Sequence, residues 1–268
     1  MRVLLYLLVT VFLGPGCTES NPPPALDAPQ PAREGTLRIA GESAGTPLIR
    51  NLARTFSARM PGPALVVEAP LQSEGAQRAL RAGALAAAIV MTPGTRPPSA
   101  NARAIARTQP ILVAGPGVRA RILSPRDLLE TLQGHRPTWI DGLARQVILR
   151  PADDPLQLAF TARMPMLREA FAEAVASGRW RVLSSDGEVR GTLRQTPGAI
   201  GVVDTGNLNL HGAPLWPLRF PSALPLTIWL VPGEKPSPRM QAFLAFLSAP
   251  GGRSLVADLG FGLPEVRR

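Results

Sequence analysis

Apolar positions along this chain change their spacing in a regular way. After an unpatterned polar stretch at 18–33, residues 36–40 form a short strand that ends at Gly41. Thr46 and Pro47 then open a helix, because Leu48, Ile49, Leu52 and Phe56 recur at the 3.6-residue period of one helical face. A strand at 64–69, a helix from Ser73 to about residue 82 and an apolar run at 86–91 follow. Strand, helix, strand, helix, strand at this spacing specifies a parallel βαβαβ unit. The alternation resumes with strands at 110–114 and 146–149 and, between them, a helix at 124–133 capped by Ser124 with Pro125 at its first position. Helical stretches run to about residue 177, and strands fall at 180–183, 199–203 and 226–231. A last amphipathic helix at 238–247 turns Met240, Phe243, Leu244 and Leu247 inward. The class is α/β.

Residues 1–17 are of a different kind. Arg2, an apolar run from Val3 to Leu13 and then Gly14-Pro15-Gly16-Cys17 have the layout of a secretory signal. The run is too short for a spanning helix, which needs ~20 apolar residues. A cysteine at the cleavage point resembles a bacterial lipoprotein signal, in which that cysteine is acylated and begins the mature chain. Gly14 stands where such signals usually carry Leu, and Leu13 falls one residue early. Cys17 is therefore the expected lipid attachment site, and 18–34, with Asn21-Pro22-Pro23-Pro24, Pro29 and Pro31, a Pro-rich linker. The expected location is periplasmic or at the cell surface, anchored to membrane by lipid.

Composition adds mainly exclusions. With 45% hydrophobic and 18% charged residues the chain has material for a sizeable core. The net charge of +10 invites a nucleic-acid partner, but every basic residue except Lys235 is an arginine, and they are spread without a run of five. No nucleic acid is expected. Cys17 is the sole cysteine, so no intrachain disulfide forms, and Cys17, His135 and His211 lie too far apart in sequence to read as a metal site. No cofactor is implied, and no nucleophile elbow or catalytic triad can be read, so an enzyme is not expected.

Ligands of open α/β sheets sit beyond the carboxyl ends of the strands, at helix N-termini. Here those places are Gly41-Glu42-Ser43-Ala44-Gly45-Thr46, Pro70-Leu71-Gln72-Ser73-Glu74-Gly75 and Arg150-Pro151-Ala152-Asp153-Asp154. Free N–H groups and hydroxyls there favour an anion. The same Ser and Thr also serve as ordinary helix caps.

Five segments, in order, resemble the phosphate-binding proteins of ABC transporters. They are Leu37-Arg38-Ile39-Ala40-Gly41 through Pro47-Leu48; Gln72-Ser73-Glu74-Gly75 with Leu80 and Gly83; Ser124 to Gly134 with Trp139; Thr196-Pro197-Gly198-Ala199-Ile200-Gly201; and Pro225 to Pro232 with Pro250-Gly251-Gly252 and Gly260-Phe261. The resemblance implies a two-lobed type II periplasmic-binding-protein fold, each lobe a mixed, mostly parallel sheet flanked by helices. It puts one lobe at 35–109 plus 223–268 and the other at 110–222. It also implies a ligand site at Ser43, at Gln72 or, with a one-residue shift, Ser73, at Arg150 and at Asp154; Thr46 of the first loop is a further candidate. Two departures alter that site. The family's third-strand aspartate falls near Ala86, and its Ser-Gly-Thr is replaced by Asp154-Pro155-Leu156, which sets Asp153 and Asp154 toward an anion and deletes an N–H donor. Phosphate is expected to bind weakly or not at all, with Arg150 as the main charged contact; an Arg150 salt bridge to Asp153 or Asp154 is the competing outcome. The expected function is a solute-binding lipoprotein for a small anionic or zwitterionic ligand, handed to an ABC transporter permease. The alternative is an exported sensor or accessory lipoprotein that binds a protein partner.

Overall fold

The computed structural model describes residues 35–208, 215–221 and 223–264. Cys17, the linker at 18–34 and His211 lie outside the described residues. In chain order the first elements are β1 (Leu37–Gly41), α1 (Thr46–Arg59), β2 (Leu65–Val67), α2 (Ser73–Arg81), β3 (Ala87–Pro93) and β4 (Arg103–Thr108). Then come β5 (Pro110–Ala114), α3 (Pro125–Leu132), β6 (Gln146–Leu149), α4 (Pro155–Thr161), α5 (Pro165–Ala176), β7 (Arg181–Val182) and α6 (Asp186–Gln195). The last are β8 (Ala199–Asp204), β9 (Trp216–Pro217), β10 (Leu226–Pro232), α7 (Pro238–Ser248) and α8 (Pro250–Asp258).

The strands make two five-stranded sheets, ordered β2-β1-β3-β10-β4 and β7-β6-β8-β5-β9. β1 pairs in parallel with β2 and β3, and β6 with β7 and β8. These are the helix-crossover pairs that the strand–helix alternation predicts. β10 runs antiparallel to β3 and β4, and β5 antiparallel to β8 and β9. Each sheet is thus half parallel and half antiparallel, and every antiparallel pair involves β5 or β10, the strands that follow the two passages between sheets. The chain enters the second sheet over Gln109 and returns between β9 and β10.

β10 shows why the first sheet is central to the fold. Every one of its seven residues is buried, as its unbroken run Leu-Thr-Ile-Trp-Leu-Val requires. Ile228 and Leu230 pack with α1 and α7 on one face, while Trp229 and Val231 join Ala76 of α2 on the other. On the first face the Phe56 ring lies 5.2 Å from Phe243 and 5.6 Å from Phe246. Each such side chain contributes about 1.5–3 kcal/mol on burial. The same buried cluster continues without a break through Leu112, Val202 and Phe160, so both sheets share one core. Among the described residues no helix is long and apolar enough to cross a membrane.

Candidate functional site

Three loops meet where the parallel strands end. The first leaves β1 at Gly41, whose φ is 150° and where a Cβ would fall 2.0 Å from the Ile89 carbonyl oxygen. Only glycine lets β1 press this closely on β3 and turn at once into α1. Glu42 donates its N–H to Ile89 O at 3.0 Å, and Thr46 Oγ1 donates back to Glu42 O at 3.1 Å. The second loop is tied to the first by Leu71 N–H to Gly41 O at 3.0 Å, and by the Ser73 hydroxyl, which donates to the Glu42 carboxylate. The third leaves β6 at Arg150.

Between these loops lies a cleft of about 520 Å³ lined by Glu42, Ser43, Gln72, Ser73, Glu74, Arg78, Asp153, Asp154 and Ser184. It brings together Ser43, Gln72, Ser73 and Asp154 of the residues expected from sequence. Thr46 is buried beneath the first loop, and Arg150 lies behind the cleft wall, with its side chain 0% exposed. A larger hollow of about 840 Å³ sits at the opposite strand ends, around Leu37, Ala86 and Lys235. It is not where the loops of an α/β sheet gather ligand groups.

Arg150 is held entirely by the protein. Its Nε donates to Val202 O at 2.9 Å, Nη1 to Asp154 at 3.1 Å and Nη2 to Asp186 at 2.6 Å. Asp186 also accepts from Arg190 at 2.6 Å, and Asp154 caps α4 by accepting the N–H groups of Leu156 and Gln157 at 2.9 and 3.2 Å. Burial works to lower the Arg150 pKa, but Asp154 and Asp186 outweigh it and the net shift is upward. Asp154 therefore takes up donors that an incoming oxyanion would need.

The cleft itself is acidic. Burial pushes the Glu42 carboxyl up to about 7; the Ser73 hydrogen bond opposes this, and the charges of Asp154 and Asp153 add to it. Glu42 and Asp186 are functional candidates that the sequence reading missed. The signal for Glu42 was its place directly after Gly41; nothing local marked Asp186, 36 positions from its partner Arg150. Beside the cleft, Asp204 accepts from Thr108 Oγ1 at 2.8 Å and from Asn207 Nδ2 at 2.6 Å, and the same Asn207 amide donates to Ala44 O at 2.7 Å. This cluster joins the end of β8 to the first loop. Burial, then the nearby charge of Asp186, raises the Asp204 carboxyl to about 6. Among the described residues no group of three or more His, Cys, Asp or Glu could hold a metal ion.

A model of the PBP superfamily domain matches residues 27–230. No curated protein matches the chain in sequence. Solved structures do match in fold. A Clostridium perfringens protein described as a phosphate ABC transporter substrate-binding protein, solved with bound phosphate, aligns with TM-score 0.64 at 14% identity, over 86% of this chain and 100% of that one. The periplasmic molybdate-binding protein of Azotobacter vinelandii aligns with TM-score 0.57 at 14% identity, over 85% and 100%. A reduced form of OxyR from N. meningitidis aligns with TM-score 0.60 at 16% identity, over 86% and 100%. At such identities the likeness carries the fold and leaves the ligand open.

Proposed function

This chain belongs to the PBP superfamily, and from that premise we propose that it is an exported solute-binding lipoprotein, anchored through Cys17, which takes a small ligand between two lobes. The lobes are 35–109 with 223–268, and 110–222. Its ligand would pass to the permease of an ABC transporter.

The ligand chemistry follows from one observation: the cleft lining sets Glu42, Glu74, Asp153 and Asp154 against Arg78, while Arg150 is bound to Asp154 and Asp186. A like-charge contact at 4 Å costs about 4 kcal/mol at the effective dielectric of a protein surface. A phosphate dianion seated in this cleft would lie among these carboxylates, with Arg78 the one guanidinium among the described residues of the lining. Of anionic and zwitterionic ligands, the zwitterion fits better, its ammonium toward Glu42 and Asp154 and its carboxylate toward Arg78. Ser43, Gln72 and Ser73 supply the neutral hydrogen bonds that orient it. The alternative, an exported sensor or accessory lipoprotein binding a protein partner, draws on the same engaged arginine.

Calorimetry and thermal shift decide between these. Inorganic phosphate is expected to bind no tighter than about millimolar. A zwitterionic amino acid or betaine that fits should raise stability by about 2.7 kcal/mol at 100 times its Kd, and lose that effect in Glu42→Gln. Submicromolar phosphate binding would sink the ligand assignment. Silence across the whole panel would favour the protein-partner function.

A further inference from the structure

Charge is distributed unevenly over the helices. α2, α3, α5 and α6 mix signs, with Glu74 beside Arg78, Arg126 beside Glu130, Arg168 beside Glu169 and Asp186 beside Arg190. The layer made by α1, α7 and α8 does not. It carries Arg50, Arg54, Arg59, Arg239 and Arg253 against a single acid, Asp258. α1 and α7 pack together through the Phe56, Phe243 and Phe246 rings, α8 packs against both, and a Cβ at Gly251, in the first turn of α8, would lie 3.6 Å from the Arg59 guanidinium. Arg239 is committed to the Phe56 ring, 4.4 Å from its centroid. Arg50, Arg54 and Arg59 are exposed and Arg253 is half-buried. Among the described residues none of these four has an ion-pair partner.

Arg50 and Arg54 stand one turn apart on α1, on the side away from the buried stripe of Leu48, Ile49, Leu52 and Phe56. Like charges at this spacing repel, and an anionic surface relieves them. A guanidinium also grips a phosphodiester with two parallel donors. We propose that the α1–α7–α8 layer is a docking face for an anionic lipid surface. Each arginine near such a surface strengthens partitioning roughly fivefold, and salt weakens it. Among the described residues no exposed aromatic side chain accompanies these arginines, so a single-stranded nucleic acid finds no stacking platform there. The membrane anchor proposed above adds proximity only; the face acts without it.

The test uses the full chain, sedimented with vesicles of equal parts phosphatidylglycerol and phosphatidylcholine, or of phosphatidylcholine alone. Any leader contribution is common to every variant. The wild type should prefer the anionic vesicles, and Arg50→Glu with Arg54→Glu should weaken that binding at least about tenfold. The charge-matched pair Arg163→Glu with Arg168→Glu, on exposed positions elsewhere, should stay within about twofold. Arg50→Gln with Arg54→Gln repeats the measurement should the reversal disturb α1. Three results overturn the docking face: no preference for anionic vesicles, equal loss in both pairs, or tighter capture by a duplex oligonucleotide with the same variant pattern. Ligand titrations of the Arg50 and Arg54 variants read the cleft separately, so either assignment can fail alone.

Discussion

Arg150 heads the fully buried side chains by volume among the described residues, and a buried guanidinium persists only where its charge and donors are all answered. Here Val202 O, Asp154 and Asp186 answer them. The Asp154 half of that arrangement was legible, since the two residues stand four apart beyond an apolar strand. Asp186 was not, because a partner brought in by tertiary packing leaves no local trace. Glu42 carries the residue-scale prediction. A carboxyl raised to about 7 binds its proton more tightly in the folded than in the unfolded chain. Its contribution therefore favours folding most at acidic pH and declines as pH rises from the unfolded value to about 7, then stays level. The Glu42→Gln variant should lack that decline and gain on the order of 3 kcal/mol over wild type at pH 8. Urea unfolding at pH 5 and pH 8 checks it. A remaining decline at lower pH belongs to Asp204, raised to about 6. Identical pH profiles for the two proteins would mean that Glu42 is better solvated than its burial implies.

At the scale of elements, the site depends on how tightly β1 joins β3. Gly41→Ala puts a methyl against the Ile89 backbone at a φ that side chains avoid. A loss of at least about 2 kcal/mol is expected, together with weaker ligand binding, because Glu42, Ser43 and Ser73 shift with the loop. Denaturation and titration of the same variant test both. A fully stable Gly41→Ala would show that the strand ends have slack. Elements with strong periods or clean caps were legible: α1, α3 and α7 follow their apolar stripes, and Ser124 and Ser237 cap α3 and α7 as hydroxyls should. β4 was missed because Arg103 and Arg107 interrupt its apolar pattern. α6 was missed because Val189 and Leu193 are its only buried apolar residues and two glycines weaken it, although its Ser185–Glu188 capping box was there to be read. α8 opens with Pro250-Gly251-Gly252, which reads as a turn.

For the whole molecule, the class and the family resemblance came through because strand–helix alternation repeats along the entire chain. Ligand chemistry did not, since it turns on which charges neutralise one another across loops far apart in sequence. Just past β8, the Asn207 amide bridges Asp204 and the Ala44 carbonyl, tying the second sheet to the loop that follows β1. Removing that bridge in Asn207→Ala should cost about 1–3 kcal/mol and enlarge the radius of gyration seen by small-angle scattering. Unchanged scattering and melting would assign the closure to the shared core alone. The position of β10 bears on how such a chain is made. That strand lies between β3 and β4, yet it follows every strand of the second sheet. On a ribosome delivering residues from the N-terminus, the second sheet can be complete while the first still has an empty slot, with the inner edges of β3 and β4 unpaired. A newly emerged chain exposes two sticky strand edges through that interval, so the first sheet is the part most in need of chaperoning until residue 232 arrives.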